Sequence, residues 1–229
     1  TNTNTLYNTV IRKCQVTNVE QVFEDLVPFN LPFLVVEARG IAVEHGTYGS
    51  LIEDCLVDNI RSNIRRLQRK GPGDAINYST GYNLENNTGS IIRSCVAQRV
   101  SSPGKIFVLV GDPDTNAGIE WDYQAFGFSI QNSGANGLNG VNNLQYFLEN
   151  CQAAQISAGT ATAMGFCFVQ TGAPDRHSTT QQQLPLTHRN CLAQDISGNE
   201  LSAGFGVSSR SHQTNTAEVI PYHPIAYEG

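Results

Sequence analysis

A repeat of roughly forty residues restricts the fold of this 229-residue chain more than any other feature. Five cysteines recur in one local context, and five glycines alternate with them along the chain. These repeat cysteines are Cys14, Cys55, Cys95, Cys151 and Cys191, and the repeat glycines are Gly40, Gly81, Gly127, Gly165 and Gly204. A period of this length is typical of solenoids, propellers and other repeat arrays.

Within a repeat, apolar and polar residues alternate over short runs, which is the pattern of a β-strand. After Gly40, Ile41 and Val43 lie on one face, and Ala42 and Glu44 lie on the other. Glycine and serine mark tight corners between these runs, as in GTYGS at 46–50. Short strands cannot bury a face alone, so the sequence predicts an all-β fold in which successive repeats stack in register.

The segment GIAVEHGTYGSLIEDCLVDNI, residues 40–60, resembles one turn of the right-handed parallel β-helix (pectin-lyase-like) superfamily, to which pectate lyases and many phage tailspikes belong. The phrasing NCxAxxI at 150–156 and 190–196 is similar to uncharacterised β-helix repeat proteins of giant viruses and amoeba-associated bacteria. The resemblance implies a right-handed parallel β-helix of about five turns with long loop insertions. It points to a surface or virion setting and supplies no activity.

The whole chain, 1–229, is then a single β-helix repeat domain, in which 217–229 is a candidate C-terminal cap. The lengths of the segments between the two motifs favour one turn per repeat, with long loops at changing corners. A five-bladed propeller with one repeat per blade is the alternative.

One turn per repeat predicts two outward columns of side chains. Two residues before each repeat cysteine the charge alternates, which predicts a register-fixing ladder with neighbours about 4.8 Å apart. Its members are Arg12, Glu53, Arg93, Glu149 and Arg189. Four residues before each repeat cysteine lie Val10, Leu51, Ile91, Phe147 and then Thr187. An uncovered apolar stripe promotes association, so we expect long loops or another subunit to cover it, and self-association is the expected partner interaction.

The cysteines are predicted to be buried free thiols rather than metal ligands. The chain has no CxxC pair, and no histidines cluster near the cysteines. Equivalent cysteines of stacked turns would face inward, whereas Cys167 falls on an outward phase and would be covered by a loop.

Two early loops are predicted to hold short amphipathic helices. One carries Val19, Val22, Phe23 and Leu26, and the other carries Ile60, Ile64 and Leu67. Acidic residues of the first would lie beside basic residues of the second, and the basic loop could alternatively bind an anionic polymer.

Glu44 and Glu85 are the candidate catalytic residues. They are the charged residues at the outward positions of the strands that carry the repeat glycines, and one turn per repeat would place them about 5 Å apart. Such proximity raises the pKa of one carboxyl, as acid/base catalysis requires. The strands lack the clustered aspartates and the Gly-His-Gly segment of polygalacturonases, and they lack a lyase-like Asp/Lys/Arg set.

The segment GDPDTNAGIEWDY, residues 111–123, offers a calcium loop and a sugar-stacking surface. Alternating oxygen ligands at Asp112, Asp114 and Asn116, with Glu120, could hold calcium, and no other cofactor is expected. Ala117 stands where an EF-hand needs its sharp turn, so a solvated acidic loop is the alternative. The candidate ligand-binding residues are Trp121 and Tyr123, which could stack on a surface glycan.

Composition limits the function classes. The net charge is −6 and only 15% of residues are charged, which argues against a nucleic-acid partner. No stretch approaches the length of a membrane span, and the expected location is extracellular, at a cell surface or at a virion surface. The preferred function is a structural surface, virion or fibre module, with glycan or receptor binding through its loops. The alternatives are a polysaccharide-active enzyme (glycoside hydrolase or lyase) and a monomeric carbohydrate-binding module.

Overall fold

A computed structural model describes residues 6–24, 33–43, 47–67, 74–85, 89–103, 107–108, 121–132, 146–159, 162–171, 186–199 and 201–210. In these ranges all regular structure is β-strand, with no helix. The strands fall into five successive rungs. They are β1 (Leu6–Tyr7), β2 (Val10–Arg12), β3 (Gln15–Glu24) and β4 (Phe33–Val43); β5 (Thr47–Tyr48), β6 (Leu51–Glu53), β7 (Leu56–Leu67) and β8 (Asp74–Glu85); β9 (Ser90–Arg93), β10 (Val96–Ser102), β11 (Phe107–Val108) and β12 (Trp121–Asn132); β13 (Tyr146–Glu149), β14 (Gln152–Ala158) and β15 (Thr162–Thr171); and β16 (Leu186–Arg189), β17 (Leu192–Gly198) and β18 (Leu201–Arg210).

Three parallel sheets each take one strand from every rung. The pre-Cys sheet contains β2, β6, β9, β13 and β16; the post-Cys sheet contains β3, β7, β10, β14 and β17; and the Gly sheet contains β4, β8, β12, β15 and β18. In addition, β1 pairs with β5, and β11 lies beside the end of β7. This all-β architecture is consistent with the expected parallel β-helix of about five turns.

One repeat makes one rung, as the sequence predicts. Val10, Leu51, Ile91 and Phe147 are directly opposite one another in successive strands of the pre-Cys sheet. A propeller blade is a four-stranded antiparallel sheet, whereas every strand pairing here is parallel and joins successive repeats. The propeller alternative is therefore wrong for the described residues.

The core lies between the three sheets and is built from columns of equivalent residues. Apolar columns come from all three sheets, including Ile52 and Ile92, Val57 and Ala97, and an aromatic stack. The stack runs through Tyr82, Phe128, Phe166 and Phe205, with ring centroids 4.7–4.8 Å apart. The spacing matches the strand separation, so each ring packs flat on the next.

The two predicted amphipathic helices are wrong. Residues 15–24 and 56–67 are strands β3 and β7, paired in register so that Val19 lies opposite Ile60 and Phe23 opposite Ile64. Ile60, Ser62 and Ile64 point inward with a strand period of two, and all three are fully buried. Because Ser62 interrupts the apolar run, the remaining isoleucines are four apart and imitate a helical face. The expected juxtaposition of charge holds between strands, since Glu20 lies opposite Arg61.

Candidate functional site

The outer face of the pre-Cys sheet carries a continuous apolar stripe. We define the apolar stripe as Val10, Leu51, Ile91 and Phe147, which are neighbours on four adjacent strands. Val10 is 55% exposed, Ile91 39% and Phe147 41%, and Leu51 is half-buried. Single exposed apolar residues are ordinary, but a column of four on one sheet is a candidate interaction surface.

A charge ladder runs beside the apolar stripe, two residues further along each strand. It consists of Arg12, Glu53, Arg93, Glu149 and Arg189. Glu53 bonds to Arg12 at 2.7 Å and also to Arg93, and Arg189 lies 3.7 Å from Glu149. The hydrogen bond from Arg93 and the charge of Arg12 hold the pKa of the Glu53 carboxyl below its ordinary value. The predicted alternating ladder is confirmed.

A second inter-rung ion pair lies on the post-Cys sheet. Arg99 Nε donates to Asp58 Oδ1 at 2.6 Å, and its terminal nitrogen donates to the other carboxylate oxygen. Asp58 is 8% exposed, and its hydrogen bonds with Arg99 lower its pKa. Together with the ladder, this bidentate pair fixes the register of rungs 2 and 3.

The repeat cysteines are free thiols at the corner between the pre-Cys and post-Cys sheets, where they donate hydrogen bonds to the backbone. Cys55, Cys95 and Cys151 are buried, Cys191 is half-buried, and Cys14 at the end of the column is exposed. Each buried thiol donates to the carbonyl two residues earlier, as Cys55 does to Glu53 at 3.1 Å and Cys95 to Arg93 at 3.2 Å. Burial raises the pKa of the Cys95 thiol to about 11, so this group stays protonated at neutral pH.

In rungs 2 and 3 the Gly sheet is buried on its outer face as well as its inner face. Asn83 and Ser129, two residues after their repeat glycines, are 0% exposed. Tyr78, Phe126, Met164 and Cys167 form a second apolar cluster on this side. Cys167 therefore lies outward and is covered, as its phase predicts. The outer face is therefore buried at these central positions, whereas Ala42 in rung 1 and Leu201 in rung 5 are exposed.

The candidate catalytic pair falls at the edge of what is described. Glu44 lies outside the described residues, and of Glu85 only the backbone is described, at the end of β8 opposite Gln131. The last residue pair between β4 and β8 joins Val43 to Leu84, which immediately precede Glu44 and Glu85. The proposed carboxylate pair stays a prediction.

Of the candidate ligand-binding and metal-binding residues, too, only some belong to the described part of the chain. Tyr123 is 3% exposed, so its ring lies inside the protein, and burial raises the pKa of its hydroxyl. Trp121 begins β12 opposite Ala75, and nothing of its side chain is described. The calcium candidates Asp112, Asp114, Asn116 and Glu120 lie outside the described residues. Within the described ranges, no three His, Cys, Asp or Glu residues are grouped closely enough to hold a metal ion.

A repeated left-handed backbone corner on either side of each repeat cysteine was not predicted from the sequence. The residue before each repeat cysteine and the residue four after it have a positive φ in all five rungs. These residues are Lys13, Asp54, Ser94, Asn150 and Asn190, and Asn18, Asn59, Arg99, Gln155 and Asp195. The frequent Asn and Asp at these positions were the available signal, because these residue types adopt left-handed backbone more readily than other non-glycine residues.

In the part of the chain that the structure describes, the fold and the surface define the class: a β repeat protein of stacked parallel strands with an exposed apolar stripe on its pre-Cys sheet. No protein family, curated protein or solved structure matches the chain. Among the described residues there is no helix of the length and apolarity needed to cross a membrane.

Proposed function

We propose that this protein is a structural module, a right-handed parallel β-helix that self-associates through the apolar stripe to build a surface, virion or fibre assembly. The observation that carries the proposal is the column of four apolar side chains on adjacent rungs, three of them exposed and Leu51 half-buried. Burial of such water-exposed apolar surface against a matching surface lowers the free energy, and this favours association. The setting that we propose is extracellular, at a cell or virion surface, in line with the repeat resemblance.

The rigidity of the face supports the same proposal. Along its strand, each stripe residue is followed by a residue of a buried column, which includes Ile52 and Leu148, and then by a residue of the charge ladder, whose members bond across rungs. A surface held this firmly loses little conformational entropy when it binds, which favours association through it. A role for the loops in glycan or receptor binding remains a proposal that rests on the sequence alone.

Sedimentation velocity over a wide concentration range tests the proposal. We expect the wild-type mass to rise above the 24.9 kDa monomer as concentration increases, because the stripe becomes buried between copies. The double variant Ile91→Thr/Phe147→Thr keeps strand-forming residues but removes apolar area, and it should shift association to at least tenfold higher concentration.

Leu201→Thr is the matched control, since Leu201 is 36% exposed but lies on the Gly sheet. It should associate like the wild type. A wild type that stays monomeric throughout, or a double variant that associates as well as the control, would refute the proposed function.

A further inference from the structure

We propose that the partner on the apolar stripe is a second copy of this chain stacked in the opposite direction, related by a two-fold axis that runs along the strands between rungs 2 and 3. This inference rests on the proposed function and adds the orientation and register of the contact. It follows from the order of residues in two neighbouring columns.

The symmetry decides which columns meet. Two sheets that pack face to face lie about 10 Å apart, and a two-fold interface brings one patch against itself. Rotation about an axis along the strands reverses the stacking direction and leaves the strand direction unchanged. The stripe of one copy therefore faces the stripe of the other, and ladder faces ladder.

With the axis between rungs 2 and 3, every apolar residue of the stripe meets another. Val10 faces Phe147 of the partner subunit, and Leu51 faces Ile91 of the partner subunit. Rung 5, where Thr187 occupies the stripe position, stays outside the contact. Moving the axis by one rung toward the C-terminal end would set Leu51 against Thr187 and leave Val10 unpaired.

The same axis pairs opposite charges in all four rungs of the contact. Arg12 faces Glu149 of the partner subunit, and Glu53 faces Arg93 of the partner subunit. An axis that passes through rung 3 would instead place Arg93 against Arg93 and Glu53 against Glu149, which is repulsive. The alternating charges thus exclude every axis that passes through a rung. Among the axes between rungs, only the one between rungs 2 and 3 pairs all four stripe residues with one another.

If the two copies instead stack in the same direction, only the stripe and not the ladder can face its counterpart. Rotation about the stacking direction reverses the strands, so that stripe can face stripe only if the two ladders move to opposite sides of the contact. The charges then face no partner. The antiparallel pair places both columns in complementary contact, and for this reason we prefer it.

The expected association is weak and depends on concentration. Four apolar side chains on short strands make a contact below the size of most stable interfaces, and exposed ion pairs add little affinity. Burial of the stripe supplies the attraction, and the stripe and the ladder together determine the register.

Site-directed cross-linking tests the orientation. One chain carries Val10→Cys and another carries Phe147→Cys, both with the exposed Cys14 replaced by alanine. Treatment with a short bismaleimide should cross-link the mixture and leave each variant alone uncross-linked. In the proposed pair, Val10 of one copy is three rungs, about 14 Å along the stack, from Val10 of the other. Arg12→Cys mixed with Glu149→Cys is an independent pair at exposed positions.

The outcomes separate the orientation from the proposed function. Cross-linking in both mixtures, at least tenfold above the single variants, supports the antiparallel register. Efficient cross-linking of Val10→Cys alone indicates level rungs and overturns it. Concentration-dependent mass without cross-links in either mixture overturns the orientation and leaves self-association in place. A wild type that stays monomeric overturns both proposals.

Discussion

At the scale of single residues, the left-handed corners repeat in every rung and not all of them are filled by suitable residues. Asn18, Asn59 and Asp195 belong to types that tolerate this backbone, whereas Gln155 at the equivalent place does not. A residue with a Cβ atom loses roughly 1–2 kcal/mol in this conformation. The fold accepts this cost because the corner sets the register of the buried residues on either side.

Glycine at position 155 is therefore expected to stabilise the protein. Gln155 is exposed with φ of 56°, and Gln155→Gly should raise the free energy of unfolding by up to about 1 kcal/mol. Ser157→Gly is the matched control on the same strand, exposed and without a positive φ, and it should lower stability by about 0.5–1 kcal/mol. Equilibrium denaturation of both variants checks the sign. Two changes of the same sign would contradict the argument.

At the scale of elements, the repeat glycines let the Gly sheet approach the post-Cys sheet. A Cβ atom on Gly127 would lie 2.6 Å from the carbonyl oxygen of Gly165 and 2.7 Å from Cβ of Ala153. Ala97 and Ala193 occupy the same place against other repeat glycines. The glycine motif and the small residue two after the cysteine are thus two sides of one contact.

Gly127→Ala is expected to cost about 1–3 kcal/mol or more, because backbone must move apart to admit the methyl group. Gly206→Ala is the control: its added Cβ would meet the end of the flexible Met164 side chain at 2.7 Å, which can turn away. We expect a loss below about 1 kcal/mol there. Thermal unfolding followed by circular dichroism measures both, and equal losses would show that the close approach is not what requires glycine at 127.

The spacing between repeat cysteines predicts more of this fold than the apolar periodicity within a single segment does. The distance between equivalent cysteines predicts one rung per repeat, and from that follow the Arg12–Glu53 contact and the exposed stripe. Local periodicity failed at β7. A corner at Asn59 and a buried Ser62, which bonds to Ser79 at 2.7 Å, turn a strand pattern into an apparent helix. Likewise, the alternation of apolar and polar residues along β12 predicts that Ser129 points outward. It does not predict that Ser129 is buried, because the burial depends on packing against residues distant in the sequence.

At the scale of the whole molecule, ionic contacts along the stack predict a stability that falls in acid. Ordinary pKa values near 4.5 for Glu53 and 3.8 for Asp58 are lowered in the fold by Arg93 and Arg99 respectively. A carboxyl with a lowered folded-state pKa stabilises the protein above its unfolded-state pKa. That contribution is lost as pH falls through the folded-state value. We therefore expect the ionic contribution to be complete at neutral pH and to decline below about pH 4.

Glu53→Gln isolates the part of this dependence that belongs to the ladder. Because glutamine cannot attract Arg12 and Arg93 as a charge, the variant should be less stable than the wild type at neutral pH. The difference should shrink as the wild-type carboxyl becomes protonated in acid, and added salt should shrink it at neutral pH. Asp195→Asn is the control: it removes an exposed carboxylate outside the ladder at a corner that asparagine also tolerates. Denaturant unfolding from about pH 7 to about pH 3 compares the three proteins. If the Glu53→Gln difference stays as constant across that range as the control's, the ladder stabilises the stack by packing and not by charge.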